Sequence, residues 1–372
     1  MSDFSQYVPA HIRRLAEAKQ SRPLKQSGGD VRPTALNLNE NPFGPSPRAL
    51  TVLNSALADI HRYPDIQPSD LHQAIAEFHE VEPAQVLVTA GATELLGMIA
   101  RTLLGPGLNA VTSARSFIVY NLATAVTEGK LIEVATRDNG YDLDAIANVI
   151  DANTRIVFIA NPNNPTGSLL TADEVDQFVA RLPGHVLLVL DEAYGDFAEA
   201  FARQRGVRFS RAWNYVRENK NVIVLKTFSK AHGLAGLRVG YGIGPERLIS
   251  LFTPTRVIFS ISSVAQAAAL AALRDQDHIA KAVNNNLDQA EFLSEEMRKM
   301  GFSIPQTWAN FIFCELKEEA ANFADHLLEQ GVSVQPLALW GAPNAMRVSI
   351  GTPEQNRIFL EAVQSLGKQS KL

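Results

Sequence analysis

The sequence places a serine, a lysine and an arginine where they could act together on a phosphate and a carbonyl group. Ser229 and Lys230 follow an apolar segment, and Arg238 lies eight residues after the lysine. A lysine amine forms an imine when a lowered pKa or neighbouring cations keep it neutral. The permanently charged arginine and the serine hydroxyl suit a phosphate. The alternative interpretation of Ser229 and Lys230 is a solvated surface pair.

An acidic residue ends another apolar segment. Asp191 follows the apolar residues 185–190, where a carboxylate is costly unless it is paired. It could face a protonated pyridine nitrogen, which makes a pyridine ring an electron sink. A helix N-cap and a metal ligand are the alternatives that the sequence leaves open.

Two turns follow further apolar segments. The segment Asn161-Pro-Asn-Asn-Pro-Thr-Gly167 is either merely a loop or the source of an asparagine amide for a phenolic oxygen on the same ring. The segment from Thr89 to Leu96 joins a strand to a helix, whose first amides could bind phosphate. A tight turn explains Gly91 equally well. Chance is a poor explanation for finding all four features, the Ser-Lys-Arg group, Asp191 and the two turns, in one sequence.

The alternation of apolar and amphipathic segments predicts the fold that positions these residues. Short segments rich in Val, Ile and Leu alternate with longer helical patterns, which is typical of an α/β fold with a mainly parallel sheet between helices. Ligands of such sheets bind beyond the carboxyl ends of the strands. The predicted strands are 85–89, 110–113, 130–135, 155–160, 185–191, 221–227 and 238–243.

The pattern changes after Ser262. A long helical stretch through Arg298 precedes short strands at 310–315 and 345–349, which predicts a second, smaller α+β domain. We therefore expect an N-terminal arm at 1–35, a large domain at 48–260, and a small domain built from 36–47 and 261–372.

The composition argues against several classes of protein. Among 372 residues, 34 Lys and Arg stand against 39 Asp and Glu, and the net charge of −5 gives no sign of a nucleic-acid partner. The single cysteine, Cys314, excludes an internal disulfide and is expected to be buried. No signal peptide and no membrane-spanning segment is recognisable, so we expect a cytoplasmic protein without a membrane partner.

With these residues, the chain resembles the fold-type I aminotransferases of class I and II, and among them the histidinol-phosphate aminotransferase-like group. The resemblance covers nearly the whole chain and implies an aspartate-aminotransferase-like fold, pyridoxal 5′-phosphate as cofactor, and no metal. The segments that carry it are Leu38-Asn-Glu-Asn-Pro-Phe-Gly-Pro-Ser46, Arg62-Tyr-Pro-Asp65, Gly91-Ala-Thr-Glu94, Asn161-Pro-Asn-Asn-Pro-Thr-Gly167, Asp191-Glu-Ala-Tyr194, Ser229-Lys230, Leu234-Ala-Gly-Leu-Arg238 and Met346-Arg-Val-Ser-Ile-Gly-Thr352.

The resemblance implies roles for individual residues. Lys230 would form the internal aldimine, a Schiff base, and later move the proton between the substrate Cα and the cofactor's C4′. Asp191 would pair with the pyridinium nitrogen. Asn164 and Tyr194 would hydrogen-bond the phenolic oxygen, with Tyr194 counted among the catalytic residues. The remaining cofactor contacts would come from Phe117, Ala92, Thr93, Thr227, Ser229 and Arg238, and from Tyr63 of the partner subunit.

Substrate residues follow from the same resemblance. Arg347 would clamp the α-carboxylate of an amino acid, and Asn41, Tyr7 and Gln335 would lie near the substrate. Gln335 stands where histidinol-phosphate enzymes usually have an arginine, which weakens the expectation of a phosphorylated substrate. We therefore predict a dimeric transaminase with shared sites. It would act on an aromatic or broad set of amino acids, or on histidinol phosphate, with a 2-oxo acid acceptor.

Two other functions are compatible with the same residues. A related decarboxylase or lyase would use the same cofactor, because the bond that breaks depends on how the substrate Cα is oriented. A catalytically silent regulator that senses the cofactor normally adds a DNA-binding domain. Because the resemblance begins by residue 36, we do not expect such a domain in this sequence.

Overall fold

The secondary structure follows the predicted alternation closely. The computed structural model describes residues 4–17 and 33–369. The strands in this part of the chain are β1 (Thr34–Ala35), β2 (Val86–Thr89), β3 (Asn109–Ser113), β4 (Lys130–Val134), β5 (Thr154–Ala160), β6 (Leu187–Asp191), β7 (Val222–Thr227), β8 (Gly240–Ile243), β9 (Phe311–Glu315), β10 (Val332–Ser333), β11 (Gln335–Leu337) and β12 (Ala342–Ser349).

Helices fill most of the remaining chain. The α-helices are α1 (Ala10–Glu17), α2 (Pro47–Ala56), α3 (Ser69–His79), α4 (Ala92–Leu103), α5 (Val119–Ala125), α6 (Leu143–Val149), α7 (Ala172–Arg181), α8 (Gly195–Arg205), α9 (Ala212–Arg217), α10 (Glu246–Phe252), α11 (Ser263–Leu273), α12 (Gln276–Lys299), α13 (Ala320–Glu329) and α14 (Pro353–Gln369). Short 3-10 helices lie at Phe4–Tyr7, Leu57–Asp59, Pro83–Gln85, Ala235–Leu237, Thr253–Thr255 and Ala338–Trp340.

Seven strands form the main sheet in the order β2-β8-β7-β6-β5-β3-β4. Strand β8 runs antiparallel to both of its neighbours, and the other pairs are parallel. The predicted mainly parallel sheet is therefore confirmed. Because β8 runs in the opposite sense, its beginning lies at the edge where the parallel strands end. The residues just before β8 therefore join those that follow β5, β6 and β7.

Both faces of this sheet are covered. In β5, Val157 belongs to an apolar cluster with residues of α3, α6 and α7, while its neighbour Phe158 belongs to a second cluster with residues of α4, α5 and α10. Both side chains are fully buried. Burial on two faces explains why the strands read as continuous apolar segments without polar alternation.

A smaller α+β unit follows. Strands β11, β12 and β9 form an antiparallel sheet, and β1 pairs in parallel with β10. Its core joins Leu293 of α12, Leu327 of α13 and Phe359 of α14. The helical stretch predicted after Ser262 is two helices, because the chain leaves helical geometry at Asp275, with φ −97° and ψ 69°. The predicted domain boundaries remain a prediction.

Two expectations from the composition concern Cys314 and the membrane. Cys314 is buried in β9 as a free thiol, and burial raises its pKa to about 12. Within residues 4–17 and 33–369, no helix combines the length and the apolar character needed to cross a bilayer. The cytoplasmic location stays a prediction.

Candidate active site

A cavity of about 500 Å³ lies at the carboxyl ends of β5, β6 and β7 and reaches β11 and β12 of the smaller unit. Side chains from both units therefore face one space. The predicted site residues on its wall are Ala92, Thr93, Phe117, Asn164, Asp191, Tyr194, Thr227, Ser229, Lys230, Arg238, Gln335 and Arg347.

Lys230 carries the nucleophilic amine of the cavity. Its Nζ donates a hydrogen bond to the Leu38 carbonyl oxygen at 2.8 Å and lies 5.6 Å from the centre of the Tyr194 ring. Burial, together with the positive charges of Arg347 and Arg238, lowers the pKa of Lys230 to about 7. A large share of the amine is therefore neutral at physiological pH, the form that attacks a carbonyl carbon.

Asp191 ends β6 as a buried carboxyl group, with 4% of its surface exposed. It accepts hydrogen bonds from the Tyr120 hydroxyl at 3.0 Å and the Ala193 amide at 3.1 Å. Burial raises its pKa to about 6 even so, and the charge of Glu192 adds to the rise. A cation placed against Asp191 would favour the ionised form.

Arg238 bends back from the start of β8 towards the end of β7. Its backbone adopts a left-handed conformation with φ +54°. Its guanidinium donates to Ser229 Oγ at 3.3 Å and to the Ala235 carbonyl oxygen at 2.8 Å. The arginine and the serine predicted to bind phosphate therefore lie together, although nine residues separate them in the chain.

The N-terminus of α4 lies beside Arg238 and Ser229, and we call these three parts together the phosphate corner. Its N-cap residue is Gly91, so no side chain caps the first amides, which belong to Ala92 and Thr93. A Cβ at Gly91 would lie 2.7 Å from a guanidinium nitrogen of Arg238, and a Cβ at Gly240 would lie 2.5 Å from the Ala92 nitrogen. The two glycines allow helix, strand and arginine to converge. Uncapped amides at a helix N-terminus bind anions.

Arg347 on β12 is a buried cation, only 5% exposed. It donates hydrogen bonds to Asn164 Oδ1 and to the Asn37 carbonyl oxygen, whereas its Nε has no hydrogen-bond partner among the described residues. Burial lowers its pKa. No carboxylate of the described chain forms an ion pair with it. A guanidinium in this state suits a carboxylate brought by a ligand.

The Tyr194 hydroxyl is held by two amides. Asn39 donates to it at 2.9 Å and Asn164 at 3.3 Å. The Tyr194 ring packs edge-on against Phe311, with ring centres 5.2 Å apart. Asn164 therefore bridges Tyr194 and Arg347, which links the main sheet to the smaller unit.

Three predicted residues do not line this cavity. The Asn41 amide donates to the Ala231 carbonyl oxygen at 2.8 Å and its Oδ1 accepts from the Phe43 amide, so the side chain joins its own loop to the segment after Lys230. Tyr63 is 83% exposed and its ring packs at a tilt of 31° against that of Phe259, with ring centres 4.7 Å apart. Tyr7 is 74% exposed. Their proposed contacts remain predictions.

The structure also adds residues that the sequence did not single out. Tyr120, the hydrogen-bond partner of Asp191, stacks on Phe158 with ring centres 4.7 Å apart. It lies three residues after Phe117, which precedes α5, and this short separation from a predicted site residue was an available signal. The cavity wall also includes Ile118 and Trp340, and it includes Leu38, Asn39 and Glu40 from a segment that carries the resemblance but had no predicted site role.

Comparisons with known proteins agree with this geometry. The family model for aminotransferase class I and II matches residues 32–363. Histidinol-phosphate aminotransferase 2 of Pseudomonas aeruginosa is 39% identical over 98% of both chains. The structure of histidinol-phosphate aminotransferase from Sinorhizobium meliloti in complex with pyridoxal-5′-phosphate has a TM-score of 0.87 at 29% identity and covers 98% of this chain and 100% of that one.

A more distant structure identifies the fold. A Thermus thermophilus aspartate aminotransferase double mutant has a TM-score of 0.80 at 23% identity and covers 94% of this chain and 98% of its own. The predicted aspartate-aminotransferase-like fold is confirmed, as is pyridoxal phosphate as the cofactor. The chain therefore belongs to the class I and II aminotransferases, the pyridoxal-phosphate-dependent transaminases that use an amino donor and a keto acid.

Proposed function

We propose that Lys230 binds pyridoxal phosphate covalently and that Asp191 holds the proton on the ring nitrogen. The observation that carries the proposal is that an amine with a pKa near 7, a buried carboxyl and the buried cation Arg347 line one cavity. Asn164 and Tyr194 would hydrogen-bond the phenolic oxygen of the ring.

The cofactor phosphate would bind where Arg238, Ser229 and the first amides of α4 converge. The fit is supported by the two close glycine contacts, because a side chain at Gly91 or Gly240 would collide with the groups that form this corner. Thr227 lies on the same wall, and Phe117 would pack on the ring. These groups supply hydrogen-bond donors and one permanent positive charge, as a phosphate requires.

The residues of the chain then divide the work on the substrate. Arg347 would orient the amino donor by its carboxylate. Lys230 Nζ, released from the cofactor when the donor's amino group takes its place, would be neutral and remove the proton from the donor Cα. Pyridoxal phosphate, when bound, supplies the electron sink that accepts the pair left on Cα. Replacing Lys230 with Ala should abolish both turnover and covalent attachment of the cofactor, the latter measured by mass spectrometry after borohydride reduction.

We propose that the donor is an amino acid with an aromatic or other apolar side chain. Among residues 4–17 and 33–369, the cations on the cavity wall are Lys230, Arg238 and Arg347. The first two serve the cofactor in this scheme, which leaves Arg347 for the single charge of a carboxylate. Gln335 lies directly across from Arg347 in the β11–β12 pair and is uncharged. The apolar side chains of Leu38 and Ile118 also face the cavity.

A half-reaction screen tests the donor. The purified holoenzyme is mixed with single donors without an acceptor, and the absorbance of the bound cofactor is followed. Phenylalanine or tyrosine should change the absorbance strongly, and 2-oxoglutarate should restore it. Histidinol phosphate should react weakly. The variant Gln335→Arg should convert it at least about tenfold more efficiently, and a tenfold gain corresponds to about 1.4 kcal/mol. Strong turnover of histidinol phosphate by the unmodified enzyme would contradict this specificity.

We also propose a homodimer with shared sites, in which Tyr63 of the partner subunit reaches the cofactor phosphate. Several large apolar side chains are exposed near Tyr63 in the sequence or in the 251–259 segment that contacts it: Leu57, Ile60, Ile66, Leu251, Val257, Ile258 and Phe259. An exposed apolar surface of this kind is typical of a subunit interface. A second copy of the chain would cover it and bring an aromatic hydroxyl to the open cavity.

A further inference from the structure

Behind the cavity, on the face of the main sheet covered by α3 and α11, lies a buried ion pair. Lys226 Nζ lies 3.3 Å from Glu192 Oε2, and the two side chains are 16% and 2% exposed. Glu192 directly follows Asp191, and Lys226 comes four residues before Lys230. Both members line an enclosed pocket of about 30 Å³ that shares Thr227 with the cavity. The pair therefore adjoins the site without lining it.

Several contacts hold the pair in place. Ser210 Oγ donates to Glu192 Oε1 at 2.5 Å, and the Glu192 amide donates to the Leu225 carbonyl oxygen at 3.0 Å, between the ends of β6 and β7. A Cβ at Gly195 would lie 2.7 Å from Lys226 Nζ, so the glycine leaves room for the ammonium group. Burial alone would lower the pKa of Lys226, but the carboxylates of Glu192, Asp196 and Glu199 together raise it. The lysine therefore keeps its charge.

Other titratable groups face the pair across the same pocket. Burial lowers the pKa of His79 to about 3 and also lowers that of His232, so both imidazoles are neutral. Burial raises the pKa of Tyr241, which stays protonated. Asp196 adds a second negative charge near Lys226. Lys226 is thus the cation of this pocket, which it shares with two carboxylates.

Among the groups that shift the pKa of Asp191, Glu192 is the charged one. Tyr120, Tyr141 and Tyr194 lie near it, and burial raises the pKa of each hydroxyl. The pKa of Asp191 is raised mainly by burial, and the negative charge of Glu192 adds to the rise. A cation that neutralises Glu192 therefore also favours the ionised form of Asp191.

We propose that Lys226 and Glu192 are positioning residues of the active site. Their contact fixes the ends of β6 and β7 against each other, and Lys226 cancels the charge of Glu192 so that Asp191 keeps its own negative charge. The inference rests on the role proposed for Asp191 at the cofactor's ring nitrogen. It implies that removing Lys226 alone, which leaves the charge of Glu192 unpaired, lowers activity more than removing both charges.

The two charges of the pair can be removed one after the other in the holoenzyme, first that of Lys226 and then that of Glu192. Lys226→Met should lower kcat about tenfold and move the acidic limb of the kcat–pH profile up by about one pH unit, since one pKa unit corresponds to a factor of ten. Lys226→Met combined with Glu192→Gln should recover kcat to within about threefold of the original and return the limb. Lys299→Met removes the lysine of an exposed pair with Glu296 at 2.7 Å and should change neither quantity.

Two outcomes would overturn the inference: a double variant as impaired as Lys226→Met, or a folded Lys226→Met with an unmoved pH limb. If Lys226→Met does not fold, the kcat–pH profile of the single variant Glu192→Gln tests the inference. It should move the acidic limb to lower pH, and an unmoved limb rejects the proposal. Failure of the proposed function looks different, because the unmodified holoenzyme would then leave its cofactor absorbance unchanged with every amino donor.

Discussion

At the scale of single residues, the site consists of charges that the folded chain holds at a cost. Burial is the main cause that lowers the pKa of Lys230 and Arg347 and raises that of Asp191. Each group is therefore disfavoured in its charged form until a ligand of complementary charge arrives. In the proposed scheme, the carboxylate of a donor would stabilise the charged arginine, and a cationic ring nitrogen would stabilise the charged aspartate. Cofactor and substrate would then bind where the chain lacks a charged partner of its own.

Asp191 makes this cost measurable as a dependence of stability on pH. Its pKa is about 6 in the folded chain against an ordinary value of 3.8. Between these values the folded chain keeps a proton that the unfolded chain releases. The stability of the cofactor-free protein therefore falls as pH rises from about 4 to about 6. Asp191→Asn removes this loss and should make the cofactor-free protein more stable at pH 7 by roughly 1 to 3 kcal/mol.

The check is chemical denaturation of both cofactor-free proteins at pH 4 and pH 7. The stability difference between them should be larger at pH 7. The same substitution should lower kcat of the holoenzyme by about 100- to 1,000-fold, because the ring nitrogen loses its counter-charge. Equal stability differences at the two pH values would contradict the assignment of the titration to Asp191.

At the scale of elements, the phosphate corner depends on how closely β8 approaches the start of α4. A Cβ on Gly240 would lie 2.5 Å from the Ala92 nitrogen and 2.8 Å from the Gly91 carbonyl carbon. Both are backbone atoms, which cannot turn aside as a flexible side chain can. The separation of strand and helix is therefore set by the absence of a side chain at one position.

Gly240→Ala should force the helix away from the strand. We expect a loss of stability of about 1 to 3 kcal/mol, typical of overpacking, and cofactor affinity weakened by about tenfold or more. Gly184→Ala is the matched control, because a Cβ there meets nothing within 4 Å. Thermal unfolding and titration of the cofactor-free protein with pyridoxal phosphate measure both effects. Unchanged cofactor affinity in Gly240→Ala would show that the corner does not bind the cofactor.

The strands of the main sheet could be predicted because their signal is local. Segments such as 155–160 and 221–227 have an apolar centre and turn formers nearby, and the structure places β5 and β7 within a residue of them. Residues at the carboxyl ends of parallel strands meet at one edge whatever the details of packing. Lys230, Asp191 and Asn164 could therefore be grouped from the sequence.

The remaining contacts join residues that no local pattern connects. Tyr120 binds Asp191 across 71 positions, and Arg347 binds Asn164 across 183. Such pairs depend on how α5 and β12 pack on the main sheet, which the period of apolar residues does not specify. The pair of Lys226 and Glu192 was missed for the same reason, because each residue alone looks like an ordinary polar end of a strand.

At the scale of the whole molecule, shared sites predict that two defective chains can help each other. A heterodimer of a Lys230→Ala chain and a Tyr63→Ala chain has one doubly altered site and one site in which both residues are intact. Random pairing makes half of the dimers mixed, so a co-expressed sample should reach about one quarter of the unmodified activity.

The measurement compares this sample with each variant prepared alone. Two different affinity tags allow the mixed dimer to be isolated, which raises the expected activity to about one half. If Tyr63 served the site of its own subunit, each mixed dimer would lack an intact site. Activity no higher than that of Tyr63→Ala alone would then be observed.

The antiparallel strand β8 also has a consequence for the order in which the protein is made. In the main sheet β2 has β8 as its one neighbour, so Thr89 cannot pair until Gly240 is available, about 150 residues later. During synthesis from the N-terminus, β2 therefore cannot form its strand hydrogen bonds until β8 has left the ribosome. Domains fold as units during translation, and here the last strand inserted is the one that joins the phosphate corner to the lysine.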